Sequence, residues 1–207
     1  MATAEEDPTQ AEIMAIEQQI LALHERLVTL RRARTGTPVP DYRFETLHGP
    51  VTLSDLFAGR EQLLAIHNMG EACRYCTLWG DGLNGLLPHL EDAMAVALLS
   101  GDSPAVQQRF AAARGWRFRM ASHGGGAYLE DQSVIAGGGN MPGAVVYARS
   151  GKTILRRNAC VFGPGDSYCA LWGLLGLGGL DASNWTPQYS YWTRPARLAD
   201  GGENLID

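Results

Sequence analysis

Apolar residues near the N-terminus recur with the spacing of one face of a helix. Between residue 10 and about residue 34 they follow each other at alternating steps of three and four. The repeat consists of Ile13, Ile16, Ile20, Leu23, Leu27 and Leu30. It predicts one amphipathic helix, which Pro38 and Pro40 end because proline cannot continue a helix. The apolar face can pack on its own domain or against a second copy of the chain, and the pattern leaves both open.

Two nearly continuous apolar runs, residues 61–69 and 93–100, predict strands that are covered on both faces. A helical pattern follows each run, over 76–90 and over 102–115. The first helix is weakened by its glycines, whereas the second is closed by Gly115.

Shorter elements flank these units. Residues 42–59 predict a short strand, a turn and a short helix with Ser54 as its cap. Residues 144–157 predict a hairpin that turns at Gly151, and residues 167–180 predict a last helix.

The order strand, helix, strand, helix, hairpin, helix predicts the α/β class, with a mixed sheet flanked by helices on both faces. We assign residues 1–38 to an N-terminal helical arm, 42–182 to the α/β domain and 183–207 to a C-terminal extension. The extension carries four large aromatic side chains, which we expect to clamp a groove or to meet a partner subunit. They are Trp185, Tyr189, Tyr191 and Trp192.

The charge and hydropathy of the chain disfavour some classes of partner and indicate its compartment. The formal net charge is −5 and the basic residues are spread along the chain, which disfavours nucleic acid and anionic membrane surfaces as partners. No apolar stretch approaches the roughly 20 residues of a membrane helix. The first ten residues are acidic, unlike a signal peptide. We therefore expect a cytoplasmic protein.

Close cysteines in a reducing compartment indicate catalysis or metal binding. Cys73 and Cys76 are three positions apart in a predicted strand-to-helix loop, where open α/β sheets place their sites. Unpaired amides at the first turn of a helix favour a thiolate. Cys73 is therefore the expected nucleophile, and Cys76, one turn further on, is the expected resolving cysteine. Arg74 adds positive charge, and Tyr75 offers apolar surface for a partner.

A second candidate feature is a proline in the glycine-rich stretch 123–143. Pro142 follows the bulky Met141 and leads directly into the predicted hairpin. X-Pro bonds are the ones commonly found cis, and a fixed turn here can expose backbone groups for pairing with a substrate chain.

Several stretches resemble a known family. They read YRFETLHGPVTLSDLF, LLAIHNMGEACRYCTLWGDG, RGWRF and MPGAVVYARSGK. Over residues 42–180 the chain resembles the thioredoxin superfamily. It is most similar to the bacterial thioredoxin-like family catalogued as domain of unknown function 899. The resemblance implies a thioredoxin-like fold and dithiol–disulfide oxidoreductase activity, and it brings no established substrate.

Carried over by position, Cys73 resembles the superfamily's nucleophile, Cys76 its resolving cysteine, and Pro142 its cis-proline with Met141 before it. Two departures stand out. Thioredoxins have WCGPC where this chain has ACRYC, and they bury a carboxylate six residues before the first cysteine, where this chain has His67. The imidazole can relay the proton that Cys76 must lose, or it can be a core histidine bonded to the backbone.

Other interpretations stay open. Cys160 and Cys169 can complete a four-cysteine metal site, form a second redox pair, or be buried inert thiols, although their nine-residue spacing is unlike zinc-binding pairs. A peroxidase of the peroxiredoxin type shares the fold. Its proline and threonine, seven and three positions before the cysteine, are replaced here by Ile66 and Gly70. The third alternative is a non-catalytic binding or scaffold protein.

The expected partners follow from the dithiol. We expect a protein disulfide or a small thiol as substrate and a thiol compound as electron donor, because no nucleotide or flavin motif is found. Trp79 is placed with Arg74, Tyr75 and Met141 among the substrate contacts, with burial in the core as its alternative. A homodimer through the N-terminal helix is one of the two arrangements that its apolar face allows.

Overall fold

Eight strands form one mixed sheet in residues 7–188, which are the residues that the structure, a computed structural model, describes. The strands are β1 (Thr37–Val39), β2 (Arg43–Thr46), β3 (Gly49–Thr52), β4 (Gln62–His67), β5 (Ala95–Ser100), β6 (Arg119–Ser122), β7 (Gly143–Ser150) and β8 (Thr153–Val161). The helices are α1 (Pro8–Ala33), α2 (Leu53–Leu56), α3 (Arg74–Ala93), α4 (Pro104–Arg114), α5 (Ala127–Gln132) and α6 (Ala170–Leu177). The strand order is β1-β8-β7-β4-β5-β6-β2-β3. No helix in this range is long and apolar enough to cross a membrane.

The two apolar runs form neighbouring strands in the middle of the sheet. β4 and β5 are parallel, from Leu63 opposite Ala95 to His67 opposite Leu99. Every residue of β5 is buried, as expected of a strand covered on both faces. β7 runs antiparallel to β4, and its hairpin with β8 turns at Gly151, where φ is 60°. The predicted α/β class and mixed sheet are thus confirmed.

Several elements escape the sequence pattern because they are short. β1 has three residues and β6 has four, too few to show an alternation. α5 lies inside the stretch predicted as a loop, and its N-cap, Gly126, makes no side-chain capping bond that would mark a helix start. β1 begins inside the predicted arm 1–38, so the sheet starts before residue 42.

The helix caps correct one prediction and confirm another. Ser54 does not cap α2. Thr52 does, because its hydroxyl accepts from the Asp55 N–H while the Asp55 carboxylate accepts from the Thr52 N–H. For α4, Ser103 is the N-cap, and Gly115 ends the helix with the left-handed φ of 66°.

Side chains of β4 alternate between two hydrophobic clusters, one on each face of the sheet. Leu63 and Ala65 belong to the first cluster, and Ile66 belongs to the second cluster together with Trp79 of α3. His67 is the next residue along the strand, so its side chain is on the face of the first cluster. This alternation decides what His67 can contact.

α3 approaches Trp116 closely at Gly80. A Cβ at Gly80 would overlap the indole ring, whereas a Cβ at the exposed Gly82 would meet nothing within 4 Å. We expect Gly80→Ala to lower the free energy of unfolding by about 1–3 kcal/mol through overpacking. The matched Gly82→Ala should raise it by up to about 1 kcal/mol, because alanine favours the helix. Urea unfolding measures both changes, and a stabilised Gly80→Ala protein would contradict this packing.

α1 is joined to the described domain by hydrogen bonds at its C-terminal end. None of its residues is buried. The Arg31 guanidinium donates to the Tyr168 hydroxyl at 2.5 Å, and the carbonyls of Arg31 and Arg32 accept from Asn158 and Arg157. Of the two uses predicted for the apolar face, packing on its own domain is therefore not observed within residues 7–188.

The C-terminal extension is described only to residue 188. Trp185 packs edge-on against Trp172 of α6, with ring centroids 6.0 Å apart. The other three aromatic residues of the predicted clamp, Tyr189, Tyr191 and Trp192, lie outside the described residues.

Candidate active site

Cys73 is the N-cap of α3, and its sulfur takes the position of the usual capping oxygen. Sγ accepts a hydrogen bond from the Cys76 N–H at 3.1 Å. The Cys73 carbonyl accepts from both the N–H and the hydroxyl of Thr77, each at 3.0 Å. A sulfur in this position faces the unpaired amides and the positive end of the helix dipole. The position predicted from the spacing, at the first turn of a helix, is thus observed.

The pKa of the Cys73 thiol is lowered to about 6. The largest cause is a hydrogen bond from the Cys76 side chain, and the amides of Cys76 and Tyr75 add to it, while partial burial opposes it. Cys73 is therefore mostly a thiolate at neutral pH, and its side chain is half-buried rather than sealed from solvent.

Cys76 is the inner sulfur, with 3% of the residue exposed. Its pKa is raised because its thiol donates to Cys73 and because burial disfavours the charged form. The Met69 N–H donates to Cys76 Sγ at 3.4 Å and acts in the opposite direction. The pair is thus asymmetric, with a charged outer sulfur and a protonated inner one.

The loop that leads into α3 is held by its neighbours in the fold. The Asn68 side-chain oxygen accepts from the Gly70 N–H at 2.8 Å, and the Asp102 carboxylate accepts from the Glu71 N–H at 2.8 Å. Gly70 has a φ of 114°, and a Cβ there would lie 2.8 Å from the Asp102 carboxylate. Arg109 of α4 forms an ion pair with Glu71 at 3.1 Å.

Asn68 and Asp102, which position this loop, were not predicted as site residues. A signal for Asp102 was present, because it follows β5 and the carboxyl ends of adjacent parallel strands meet at one edge of the sheet. Asn68 directly follows β4 at the same edge.

The structure brings the loop of Pro142 beside the cysteine loop. The Asn140 side chain donates to the Met69 carbonyl at 3.3 Å, and the Pro142 carbonyl accepts from the Phe162 N–H at 3.0 Å. Gly143, the next residue, pairs with the last residue of β4. The two predicted features therefore meet at the same end of the sheet.

Met141 is half-buried against the first hydrophobic cluster. Its N–H donates to the Gly139 carbonyl at 2.9 Å. Gly143, two residues after Met141, starts β7 close to β8, and only glycine fits there because a Cβ would overlap the Cys160 carbonyl oxygen. The backbone at Met141 is thus fixed by tight packing on one side.

His67 has a different environment from the one that the proton relay requires. Its Nε2 is 2.7 Å from the Tyr128 hydroxyl, on the face of the first cluster. Tyr147 continues this buried network, since its hydroxyl lies 3.2 Å from that of Tyr128. Burial lowers the pKa of His67 to about 3, with smaller contributions from His123 and Arg156. Neither cysteine is among its hydrogen-bond partners, so the structure gives the relay no support.

A shallow cavity of about 340 Å³ opens beside the nucleophile. It is lined by Met69, Ala72, Cys73, Arg74 and Tyr75. Arg74 is exposed, and its guanidinium lies 5.9 Å from the centre of the Tyr75 ring. Arg74 and Tyr75, two of the predicted substrate contacts, therefore border the half-buried sulfur of Cys73.

Trp79 does not line this cavity. It is 2% exposed and stacks on Phe162 with ring centroids 5.7 Å apart. Tyr75 lies against it, at 6.1 Å between centroids. Trp79 is therefore a core residue and not the substrate contact that was expected. It supports Tyr75, because residues 75 and 79 are one helical turn apart on the same face of α3.

Cys160 and Cys169 are free thiols in the second cluster. Burial raises the pKa of both, which makes them weaker nucleophiles than Cys73. Cys160 also shares a side-chain hydrogen bond with Tyr168. Among residues 7–188 no group of three or more His, Cys, Asp or Glu side chains is placed to hold a metal ion, so a four-cysteine site is not found there.

The sheet order, with a dithiol at the N-terminus of the helix that follows β4, defines a protein of the thioredoxin fold. The chain belongs to the family described as bacterial protein of unknown function (DUF899), whose profile matches residues 4–193. None of the curated proteins compared with the chain matches it.

The solved structures that share this fold include several peroxiredoxins. Peroxidoxin BcpB from Mycobacterium tuberculosis is 18% identical with a TM-score of 0.52, covering 66% of this chain and 90% of that one. Peroxiredoxin Q from Xanthomonas campestris is 18% identical with a TM-score of 0.51, covering 71% and 99%. Enterococcus faecalis AhpC is 14% identical with a TM-score of 0.52, covering 70% and 91%. At these identities the likeness establishes the fold alone.

Proposed function

We propose that this protein is a dithiol–disulfide oxidoreductase in which Cys73 attacks a substrate disulfide and Cys76 resolves the product. The observation that carries the proposal is the asymmetry of the two sulfurs. The half-buried Cys73 has its pKa lowered to about 6, and the buried Cys76 donates to it. A thiolate that is both stable and accessible is the species that attacks disulfides.

The reaction balances with a disulfide RS–SR′ as the substrate. The Cys73 thiolate attacks one sulfur, the S–S bond breaks, and R′S⁻ leaves a mixed disulfide Cys73–S–S–R. Cys76 then attacks Cys73 Sγ, which forms the Cys73–Cys76 disulfide and releases RS⁻. The substrate gains two electrons and the protein loses two. A thiol donor, either a dithiol protein or two molecules of a small thiol, restores the reduced pair.

Formation of the mixed disulfide itself activates Cys76. In the reduced pair, the hydrogen bond to the Cys73 thiolate and the charge of that thiolate both raise the Cys76 pKa. Both causes disappear once Cys73 is bonded to the substrate, while the Met69 N–H still stabilises a thiolate at Cys76. The Cys76 proton can pass to the thiolate that the first attack released, so the mechanism needs no histidine relay.

The surroundings of Cys73 suit an extended peptide or a small disulfide. Arg74 and Tyr75 offer a charge and an aromatic face at the cavity, and Asn140, two residues before Pro142, donates to the carbonyl of Met69, which also lines the cavity. The Met141 carbonyl, directly before Pro142, is the backbone group that we propose to pair with a substrate strand. A reducing compartment such as the cytoplasm would supply the thiol donor.

A peroxidase is less well supported by the site than by the fold. Ile66 is buried in the second cluster and Gly70 carries no side chain, so neither supplies the hydroxyl that peroxiredoxins have near their cysteine. Turnover of hydrogen peroxide that survives Cys76→Ala would favour the peroxidase, because disulfide exchange requires both sulfurs.

Thiol alkylation across pH tests the proposal. With the Cys73 pKa at about 6, the rate of its reaction with iodoacetamide should rise with pH to half-maximum near pH 6 and then level off. Cys160 and Cys169, whose pKa values are raised, should react only at alkaline pH. Mass spectrometry of digested protein assigns each rate to its cysteine.

Two variants serve as matched controls. Cys76→Ala removes the thiol that donates to Cys73, so the midpoint should move upward, whereas Cys76→Ser keeps a hydroxyl donor and should move it less. If Cys73 reacts no faster than Cys160 at pH 7, the catalytic assignment fails and the scaffold interpretation gains weight.

A further inference from the structure

α1 carries an apolar stripe that the described domain does not cover. The six repeat residues are between 40% and 63% exposed. They are Ile13, Ile16, Ile20, Leu23, Leu27 and Leu30. A contiguous exposed apolar row of this length marks a protein contact, and the alternating steps of three and four are those of a two-helix seam.

Charges along α1 are divided between its two ends. The N-terminal half carries Glu12 and Glu17 and is preceded by its cap Asp7, whereas the C-terminal half is dominated by arginines. These arginines are Arg26, Arg31 and Arg32, with Arg34 directly after the helix. A second copy of α1 therefore meets either like or opposite charges, depending on its direction.

The apolar repeat is compatible with an antiparallel seam. When Ile20 faces Leu23 of a second copy, Ile16 faces Leu27 and Ile13 faces Leu30. All six positions are then matched, and the twofold axis passes between residues 21 and 22. Every layer pairs one isoleucine with one leucine.

The residues that flank the seam favour the antiparallel over the parallel direction. In a parallel pair in register, Glu12 faces Glu17 of the second copy and Arg26 faces Arg31. Each contact occurs twice, so four like-charge pairs border the seam. In the antiparallel pair, Glu17 faces His24 and Gln19 faces Arg26, with no like-charge contact. The helix dipoles are also opposed in that arrangement.

We propose that α1 is a dimerisation element that pairs antiparallel with α1 of a second copy of this chain. The partner is fixed by charge complementarity, since the acidic end of one helix lies along the basic end of the other. The proposal is independent of the chemistry at Cys73.

The mass of the full-length protein in solution tests the pairing. Wild type should have twice the mass of one chain by light scattering, and Leu23→Glu should raise the dissociation constant at least about 100-fold, because each dimer loses two buried leucines next to the axis. Gln18→Glu adds the same charge on the opposite face of the helix and should leave the dimer intact. A monomeric wild type, or a Leu23→Glu dimer of unchanged affinity, would overturn the pairing.

A charge reversal tests the direction. Glu17→Arg replaces an acidic residue by a basic one in the segment that lies along the arginine-rich end of the second copy in the antiparallel dimer, and it should weaken that dimer roughly 3- to 10-fold at low salt. In a parallel dimer the same change places arginine beside Glu12 and tightens the association. Sedimentation equilibrium of both proteins separates these outcomes, and a tighter Glu17→Arg dimer would overturn the antiparallel arrangement.

Discussion

A Cys73→Ser variant is expected to lose at least roughly a thousandfold of the protein's disulfide-exchange rate, because a hydroxyl at this position is neither ionised nor a sulfur nucleophile. The loss should appear in the reduction of a model protein disulfide by a thiol donor, followed as turnover per protein. The fold of the Cys73→Ser variant should be unchanged. A serine hydroxyl can accept the same Cys76 N–H that now reaches Cys73 Sγ at 3.1 Å, since serine is a favoured helix cap.

Cys160→Ser provides the matched control for this loss. It makes the same atomic change at another half-buried cysteine, one whose pKa is raised rather than lowered. The variant should keep the wild-type rate. Full activity in Cys73→Ser, or an equal loss in Cys160→Ser, would show that the reacting sulfur has been misassigned.

The centre of the fold could be predicted because its signals are local. β4 and β5 are unbroken apolar runs, and Cys73 lies where the first run ends and α3 begins. The cysteine pair also marks the start of α3, because Cys73 Sγ accepts from the N–H of Cys76, three residues further on, as an N-cap side chain does. Pattern and cap agree, so the position of the dithiol follows from a few adjacent residues.

The features that could not be predicted, such as the roles of His67 and Asp102, depend on contacts between residues that are distant in the sequence. His67 aligns with a buried carboxylate of thioredoxins, but its bond to Tyr128 joins residues 61 positions apart. Asp102 likewise reaches across 31 positions to the Glu71 amide. Periodicity within one strand cannot reveal such partners, because they are set by the register of neighbouring strands and by the loops that follow them.

The buried network around His67 has a structural consequence. Tyr128 and Tyr147 are almost fully buried, and their hydroxyls bond to each other and onward to Gln132. Satisfied polar groups of this kind rigidify a core, because any other arrangement leaves one of them unpaired. The network includes His67, the last residue of β4, so it holds in place the strand end from which the cysteine loop departs.

One hydrogen bond ties the two steps of the proposed reaction together. It lowers the pKa of Cys73 and raises the pKa of Cys76, so the outer sulfur reacts first and the inner one is held back. Stabilising the thiolate also stabilises the reduced pair, which makes the disulfide form a stronger oxidant than it would otherwise be. Order of attack and redox potential thus have a common physical origin.

Cys76→Ser is expected to stop the reaction at the mixed disulfide. Serine preserves the size of the buried side chain and can still donate to Cys73, so the first attack should proceed at a rate close to that of wild type. The second attack needs a sulfur and cannot occur. A protein substrate should therefore accumulate as an adduct at Cys73 to nearly one equivalent, visible by mass spectrometry as a species that a reducing agent removes.

The double variant Cys73→Ser with Cys76→Ser is the control, because it keeps the fold and the other two thiols while lacking both reacting sulfurs. Adducts on Cys160 or Cys169 would appear equally in both proteins, so only the difference between them reports on Cys73. An adduct of the same amount in the double variant would contradict the assignment of both cysteines. Rapid release of substrate from Cys76→Ser would contradict only the resolving role, because a second thiol would then be doing the work proposed for the buried sulfur.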